Sequence, residues 1–375
     1  MTEREHASPD SAAPDVPDAE SVRFAAGALL DRLGELATQA SRLGSEDDVD
    51  PVHRTRVACR RLRASMRLFD GCVESGLIRR WDRRIRRLAR ALGRARDLDV
   101  QSGFVDGFIQ SIEVRNRPGL ERLRLRLVQR RERASRRALG KAKRFRRRGI
   151  IESIEQRLRA LQAKARIDRT AESGARGPRW LLAVSSERIM QLVEAMLVHE
   201  PFLPDPDRVE DLHAMRIAAK HLRYALEAIA PLHEVEAEGD EAPLDPRIDR
   251  ALGIARSAQR VLGEIHDCDL WIEFLPRFLR GERRRTRRFY GHVRGFRRIA
   301  RGIDSLLEDR RRARSALHAE FIEEWSRSVD ERTWSDLRAA LVEVAQEGRT
   351  GGAERAERDA ESPQRESATS SDSPH

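Results

Sequence analysis

One motif occurs twice in this chain, and that duplication limits what it can fold into more than any other feature. His53-Arg-Thr-Arg56-Val-Ala-Cys-Arg60-Arg-Leu-Arg63 in the first half is matched by His213-Ala-Met-Arg216-Ile-Ala-Ala-Lys220-His-Leu-Arg223 in the second. His, Arg, Arg or Lys, and Arg stand at offsets 0, 3, 7 and 10 in both copies. Downstream, Leu92-Gly93-Arg-Ala-Arg-Asp97-Leu-Asp99 returns as Leu262-Gly263-Glu-Ile-His-Asp267-Cys-Asp269. The interval from His213 to Asp267 is ten positions longer than that from His53 to Asp97. That excess fits the acidic, proline-containing stretch around Glu234–Asp245. Two motifs repeated in the same order along one chain are the mark of an internal duplication. The chain must therefore build two similar halves.

The halves read as helix almost throughout. Apolar residues recur at i, i+3, i+4 and i+7, and β-branched runs with period-2 alternation are lacking. Breaks are expected at Ser45-Glu-Asp-Asp, Asn116-Arg-Pro-Gly, Ser173-Gly-Ala-Arg-Gly-Pro, Pro201-Phe-Leu-Pro-Asp-Pro and Glu236–Pro246. The expected organisation is a disordered acidic tail over 1–20, one helical bundle over 21–172, a second over 179–346, and a disordered tail over 347–375. Residues 21–346 together would form one domain. The fold class is all-α.

Charge narrows the function classes. The formal net charge is +11, yet the stretch 1–20 carries −5 and the stretch 350–375 carries −3, so the chain between them stands at +19. A field of that sign recruits polyanions: nucleic acid, anionic membrane or a phosphate polymer. Lysine appears only at 141, 143, 164 and 220, so arginine carries the charge, and its planar fork suits bidentate contact with phosphate oxygens. Cys59, Cys72 and Cys268 are odd in number and form no CxxC, which fits a reducing cytosol better than a disulfide framework or a zinc knuckle. The N-terminus lacks an apolar signal-peptide core, and no apolar run is long enough to span a bilayer.

On a helical wheel His53, Arg56, Arg60, Arg63 and Arg67 fall within an arc of about 80°. Leu62, Met66 and Phe69 cluster on the opposite, core-facing side. The second copy repeats this, with His213, Arg216, Lys220 and Arg223 against Met215, Leu222, Leu226 and Ile229. An ordinary solvated helix interleaves acids among its bases, because like charges at i,i+4 repel. These stripes contain no acid before Glu227. Either their arginines pair with acids from other helices, or a polyanion lies along them. Repetition at identical offsets favours a ligand surface.

Two further stretches add cations. Residues 79–94 hold eight arginines against one acid, and residues 122–148 hold fourteen Lys or Arg against one acid. Arg94, Arg133 and Arg137 are taken from them as further candidate ligands. His53 and His213 are either plain first-turn residues or donors to phosphate. Neither has an acid or histidine at i+3 or i+4 to help hold a metal, so no metal site is expected. Asp97, Asp99, Asp267 and Asp269 are expected to orient guanidinium groups. Gly93 and Gly263 are expected to permit a close helix approach or a helix end.

The pattern His-x-x-Arg-x-x-x-Arg-Arg-Leu-Arg, then Leu-Gly-x-x-Arg-Asp-x-Asp, then a second copy of each, resembles the CHAD (conserved histidine α-helical domain) family. His53–Phe69, Leu92–Val100, Leu212–Glu227 and Leu262–Trp271 carry the resemblance, which spans roughly residues 20–345. It implies two helical bundles related by a pseudo-two-fold axis, with a basic central channel that binds inorganic polyphosphate. It also implies association with polyphosphate granules, and so with granule proteins, in the cytoplasm. By the same resemblance the channel is lined by His53, Arg56, Arg60, Arg63, His213, Arg216, Lys220 and Arg223. One departure is His266, where the first copy has Arg96, which would make the second half weaker in grip or more pH-sensitive. CHAD modules are often joined to CYTH triphosphate hydrolases, whose ExExK is absent here. Glu234-Val-Glu-Ala-Glu lacks the closing lysine, so the chain resembles a stand-alone CHAD protein.

Among function classes, a binding protein leads. Sequence-specific nucleic-acid recognition is disfavoured by 5% aromatic residues and by the lack of a helix-turn-helix or finger signature, though charge alone predicts weak nonspecific binding. An enzyme acting on polyphosphate would need a phosphate loop or tandem acids for two-metal chemistry. Only the Asp97/Asp99 and Asp267/Asp269 pairs approach the latter. Neither an enzymatic activity nor a cofactor is expected.

Overall fold

The computed structural model describes residues 17–43, 51–171, 179–234, 245–329 and 332–343. Ten α-helices cover them: α1 Ala19–Ser41, α2 Pro51–Leu68, α3 Ser75–Ser111, α4 Arg117–Arg147, α5 Ile150–Ala171, α6 Arg179–Leu197, α7 Val209–Glu234, α8 Pro246–Tyr290, α9 Phe296–Ser328 and α10 at 333–343. Short 3-10 turns stand at Val114–Asn116 and Glu200–Phe202. No strand occurs among the described residues. The fold is all-α, as the periodicity required. The breaks expected at Ser45 and Ser173 and both outer tails lie outside the described residues. Residues 17–20, placed in the acidic tail by composition, instead open the first bundle. Asp18 caps α1 by accepting from the Ser21 backbone N–H at 2.7 Å, which satisfies a donor that the helix cannot pair itself.

Helices α1–α5 and α6–α10 pack in the same order. In each half the first helix lies on the second, the second on the third, and the third forms a long antiparallel hairpin with the fourth. The fifth returns to the first: α1 packs on α5, and Ser186 of α6 donates to the Leu341 carbonyl of α10 at 3.1 Å. The halves join through α2 against α7 and α4 against α9, so like elements meet like, as a pseudo-two-fold relation requires. Arg188 of α6 reinforces the join. Its guanidinium donates to the carbonyls of Arg67 and Leu68 at 2.6 Å and of Asp70 at 3.0 Å, satisfying the open end of α2.

Two apolar cores hold this together. The larger buries Leu62 and Met66 of α2 and Phe69 just past its end with Met215, Leu222, Leu226 and Ile229 of α7, the residues that the helical wheel assigned to the core. The smaller lies where the α3–α4 and α8–α9 hairpins cross, and is built on Val105, Leu123, Leu127, Trp271, Phe278 and Leu306. At that crossing two glycines make a reciprocal contact. A Cβ on Gly119 would stand 2.0 Å from the Ile299 carbonyl oxygen, and one on Gly302 would stand 2.0 Å from that of Asn116. Gly302 follows Gly119 in the chain by the same interval at which Ile299 follows Asn116, so the contact maps onto itself when the halves exchange. These are the glycines that permit close approach. Gly93 and Gly263 are not: both sit inside long helices, a Cβ on Gly263 would meet nothing within 4 Å, and one on Gly93 would meet only the Arg56 guanidinium at an ordinary 3.7 Å.

Candidate functional site

Because α2 packs on α7, the two cationic stripes face one another across the join. Arg60, Arg63 and Arg67 on α2 stand beside Arg216, Lys220 and Arg223 on α7. Lys220 is at their centre. Burial and then Arg216, Arg60, Arg67 and Arg63 push its pKa down to about 8. Burial likewise lowers the Arg60 and Arg216 pKa values, and the Nε atoms of both are buried without a hydrogen-bond partner. Tyr224 lies between the halves, with the Arg60 guanidinium 5.9 Å from its ring centre and that of Arg223 at 5.8 Å. His221, pressed by burial and by Arg67, Lys220 and Arg63, falls to about 4 and is neutral at pH 7.

Some stripe residues do pair with acids. Arg63 reaches Asp82 of α3 at 2.6 Å, Arg223 reaches Glu227 at 2.8 Å, and Arg56 reaches Asp97 at 3.3 Å. Arg60, Arg67, Arg216 and Lys220 form no ion pair with a carboxylate among the described residues. The stripe thus holds three ion-paired arginines, Arg56, Arg63 and Arg223, and four cations that have no such pair.

The aspartates of the second motif fall into two classes, the same in both halves. Asp99 binds Arg131, and Asp269 binds Arg314, whose other nitrogen donates to the Pro206 carbonyl at 2.7 Å. Asp97 and Asp267 sit nearer the pseudo-axis. Burial raises the Asp267 pKa against the pull of Arg216, and Asp97 raises it further, which puts the two carboxylates in each other's field. Among the described residues no group of three or more His, Cys, Asp or Glu could hold a metal.

His213 has a ring partner in the other motif of its half. Its Nδ1 stands 3.2 Å from Nδ1 of His266 in α8, with ring centres 4.4 Å apart. Burial, Arg216 and Lys220 lower the His213 pKa, and burial, Arg216 and His213 take His266 down to about 4. Both rings are neutral at pH 7, one donating its N–H to the lone pair of the other. His53 stands part-exposed on α2 in the equivalent place.

The deciding comparison is with protein families. The CHAD domain family model matches residues 27–276, from α1 through most of α8. The chain belongs to the CHAD family. Two solved structures share its fold. The CHAD domain of the plant Ricinus communis superposes with a TM-score of 0.50 at 20% identity, covering 90% of this chain and 97% of that one. PptA from Streptomyces chartreusis gives 0.51 at 17%, covering 83% and 99%. At such identities the likeness bears on the fold. No curated protein sequence matches the chain.

Within this CHAD fold the remaining candidates lie apart from the seam. Arg94, Arg133 and Arg137 line a cleft of about 800 Å³ between α3 and α4, together with Arg130, Lys141 and Arg144. Asp97 closes one end of the cleft and carries its ion pair to Arg56, so cleft and seam adjoin at that pair. Tyr224 and His221 escaped the sequence reading. Their signal was their place inside the second stripe, next to Arg223 and Lys220, where the first copy has Ala64 and Arg61. No helix among the described residues is long and apolar enough to cross a membrane.

Proposed function

We propose that this CHAD chain binds inorganic polyphosphate along the α2–α7 seam and on into the α3–α4 cleft. The observation that carries this reading is the central group of Arg60, Arg67, Arg216 and Lys220. It comes from both halves, is crowded enough to depress Lys220 to about 8, and has no carboxylate ion pair among the described residues. Cations held so close cost folding free energy unless an anion offsets them. A polymer bearing a charge on every phosphate supplies anions at the spacing of the side chains and needs no base-reading equipment. The family resemblance points to the same ligand and to polyphosphate granules as its place in the cell. Binding, with no catalysis, is the activity proposed. A flat orthophosphate time course with and without Mg²⁺ fits it, and magnesium-dependent release would overturn it.

The test is a competition titration of labelled long-chain polyphosphate against duplex DNA at matched phosphate concentration. It uses the wild type and an Arg60→Ala, Arg216→Ala, Lys220→Ala variant. The wild type should prefer polyphosphate by orders of magnitude, and the variant should lose that preference while melting no lower. DNA competing equally, or a variant that binds like the wild type, would reduce the seam to generic charge.

A further inference from the structure

The two hairpins are not equal. The stretch from Asp267 to Gly302 is thirteen positions longer than the equivalent stretch from Asp97 to Gly119. The excess lengthens the α8–α9 hairpin, and it lies beyond residue 276, where the family match ends. The first hairpin tip mixes Asp106 and Glu113 with its arginines. The second has nine arginines and no acid between Glu282 and Asp304. Glu282 itself is fully buried and bound to Arg122, Arg126 and Arg285, so of these nine it pairs with Arg285 alone. Arg280, Arg283, Arg284, Arg287, Arg294 and His292 surround a cavity of about 600 Å³ with no carboxylate in its lining. None of these five arginines forms an ion pair among the described residues.

Aromatic rings crown the same tip. Phe289 is 81% and Tyr290 60% exposed, their centres 4.8 Å apart edge to face. His292 stacks on Tyr290 at 19° from parallel. The turn that presents them is fixed by Gly291 at φ 74° and Gly295 at φ 76°, left-handed positions that other residues rarely adopt. Buried rings would be core. Exposed rings fringed by unpaired arginines have no such purpose, and a bare phosphate polymer has no flat face to meet them. A bilayer anchor would call for a run of aliphatic side chains at the tip, and residues 283–298 contain one, Val293.

We infer that the α8–α9 tip is a second binding surface, separate from the seam, for single-stranded nucleic acid. Its bases stack on Phe289, Tyr290 and His292, and its phosphates lie in the arginine-lined cavity.

Anisotropy titrations of the full chain with a labelled single-stranded RNA 12-mer, a duplex of the same length and long-chain polyphosphate test this. They compare the wild type, Phe289→Ala/Tyr290→Ala, and the seam variant Arg60→Ala/Lys220→Ala. Vesicles rich in phosphatidylserine serve as a fourth ligand. The tip variant should lose about ten-fold in single-strand affinity while keeping its duplex and polyphosphate binding. The seam variant should lose polyphosphate and keep the single strand. An unchanged single-strand affinity in the tip variant would overturn the inference, as would vesicle binding that depends on the two rings when RNA binding does not. Both replaced rings are solvent-exposed, so loss of fold is not expected to confuse the result, and a melting curve checks it.

Discussion

Lys220 is where the chemistry of the seam can be read in a single proton. Its ordinary pKa of 10.5 falls to about 8 in the fold, because burial and four arginines oppose its charge. Folding penalises the ammonium, so the penalty is full below pH 8 and fades as pH rises toward 10.5. A bound polyanion works the other way and restores the charge. Polyphosphate binding at pH 9 should therefore take up most of one proton per site, seen by calorimetry as a dependence of heat on the ionisation enthalpy of the buffer, and Lys220→Met should abolish it. At this scale the sequence was readable on one side only. Period and charge picked out His53, Arg56, Arg60, Arg63, His213, Arg216, Lys220 and Arg223 without coordinates. They could not show that Arg63 would be anchored by Asp82 and Arg60 left bare. That depends on which helix lies across the stripe, and local periodicity carries no information about neighbours remote in the chain. The His213–His266 pair was hidden for the same reason, although the exchange of Arg96 for His266 marked the position.

Among the elements, the hairpin crossing carries the sharpest consequence. Gly119 and Gly302 bring α4 and α9 so close that a methyl group on either would meet a carbonyl oxygen at 2.0 Å. Backbone cannot step aside as a flexible side chain would. Gly119→Ala or Gly302→Ala should each cost about 1–3 kcal/mol, the usual range for overpacking, read from denaturant midpoints. Because both act on one contact, the double variant should cost less than their sum. Gly93→Ala, placed against an arginine tip at 3.7 Å, should cost little. The sequence suggested glycine-mediated contact but assigned it to the repeated Leu-Gly motif. Recurrence marks residues that both halves need, and Gly93 and Gly263 are such residues, yet recurrence does not say what the need is. Helix existence was legible from the apolar spacing nearly everywhere, and the onset of α1 inside the acidic stretch was missed because Asp18 counts as charge in a composition but acts as a cap in the fold.

For the whole molecule, the +19 held between two acidic ends makes binding a matter of counter-ion exchange. The seam gathers seven cations in Arg56, Arg60, Arg63, Arg67, Arg216, Lys220 and Arg223. Polyphosphate affinity should thus fall by about a thousand-fold or more between 50 and 200 mM salt. Plotted as log affinity against log salt, removal of Lys220 should shallow the slope by about 1, and a salt-independent affinity would contradict the seam. The duplicated architecture was legible at this scale, since it follows from two motifs in order. The enlarged α8–α9 tip was not, because arginine runs at 79–94, 122–148 and 283–301 look alike until the fold places one on the helix packed against α2, one on a cleft and one at a free end.

The reciprocal glycine contact has a meaning for any guest that follows the seam. A half-turn carries each half onto the other, so the three cations at offsets 3, 7 and 10 met from one end are repeated from the opposite end. An unbranched thread of identical phosphates is likewise indifferent to which terminus leads, and one geometry serves both directions of travel. A nucleic acid strand, with every sugar pointing the same way, has a direction, and would meet the same seam as two different surfaces.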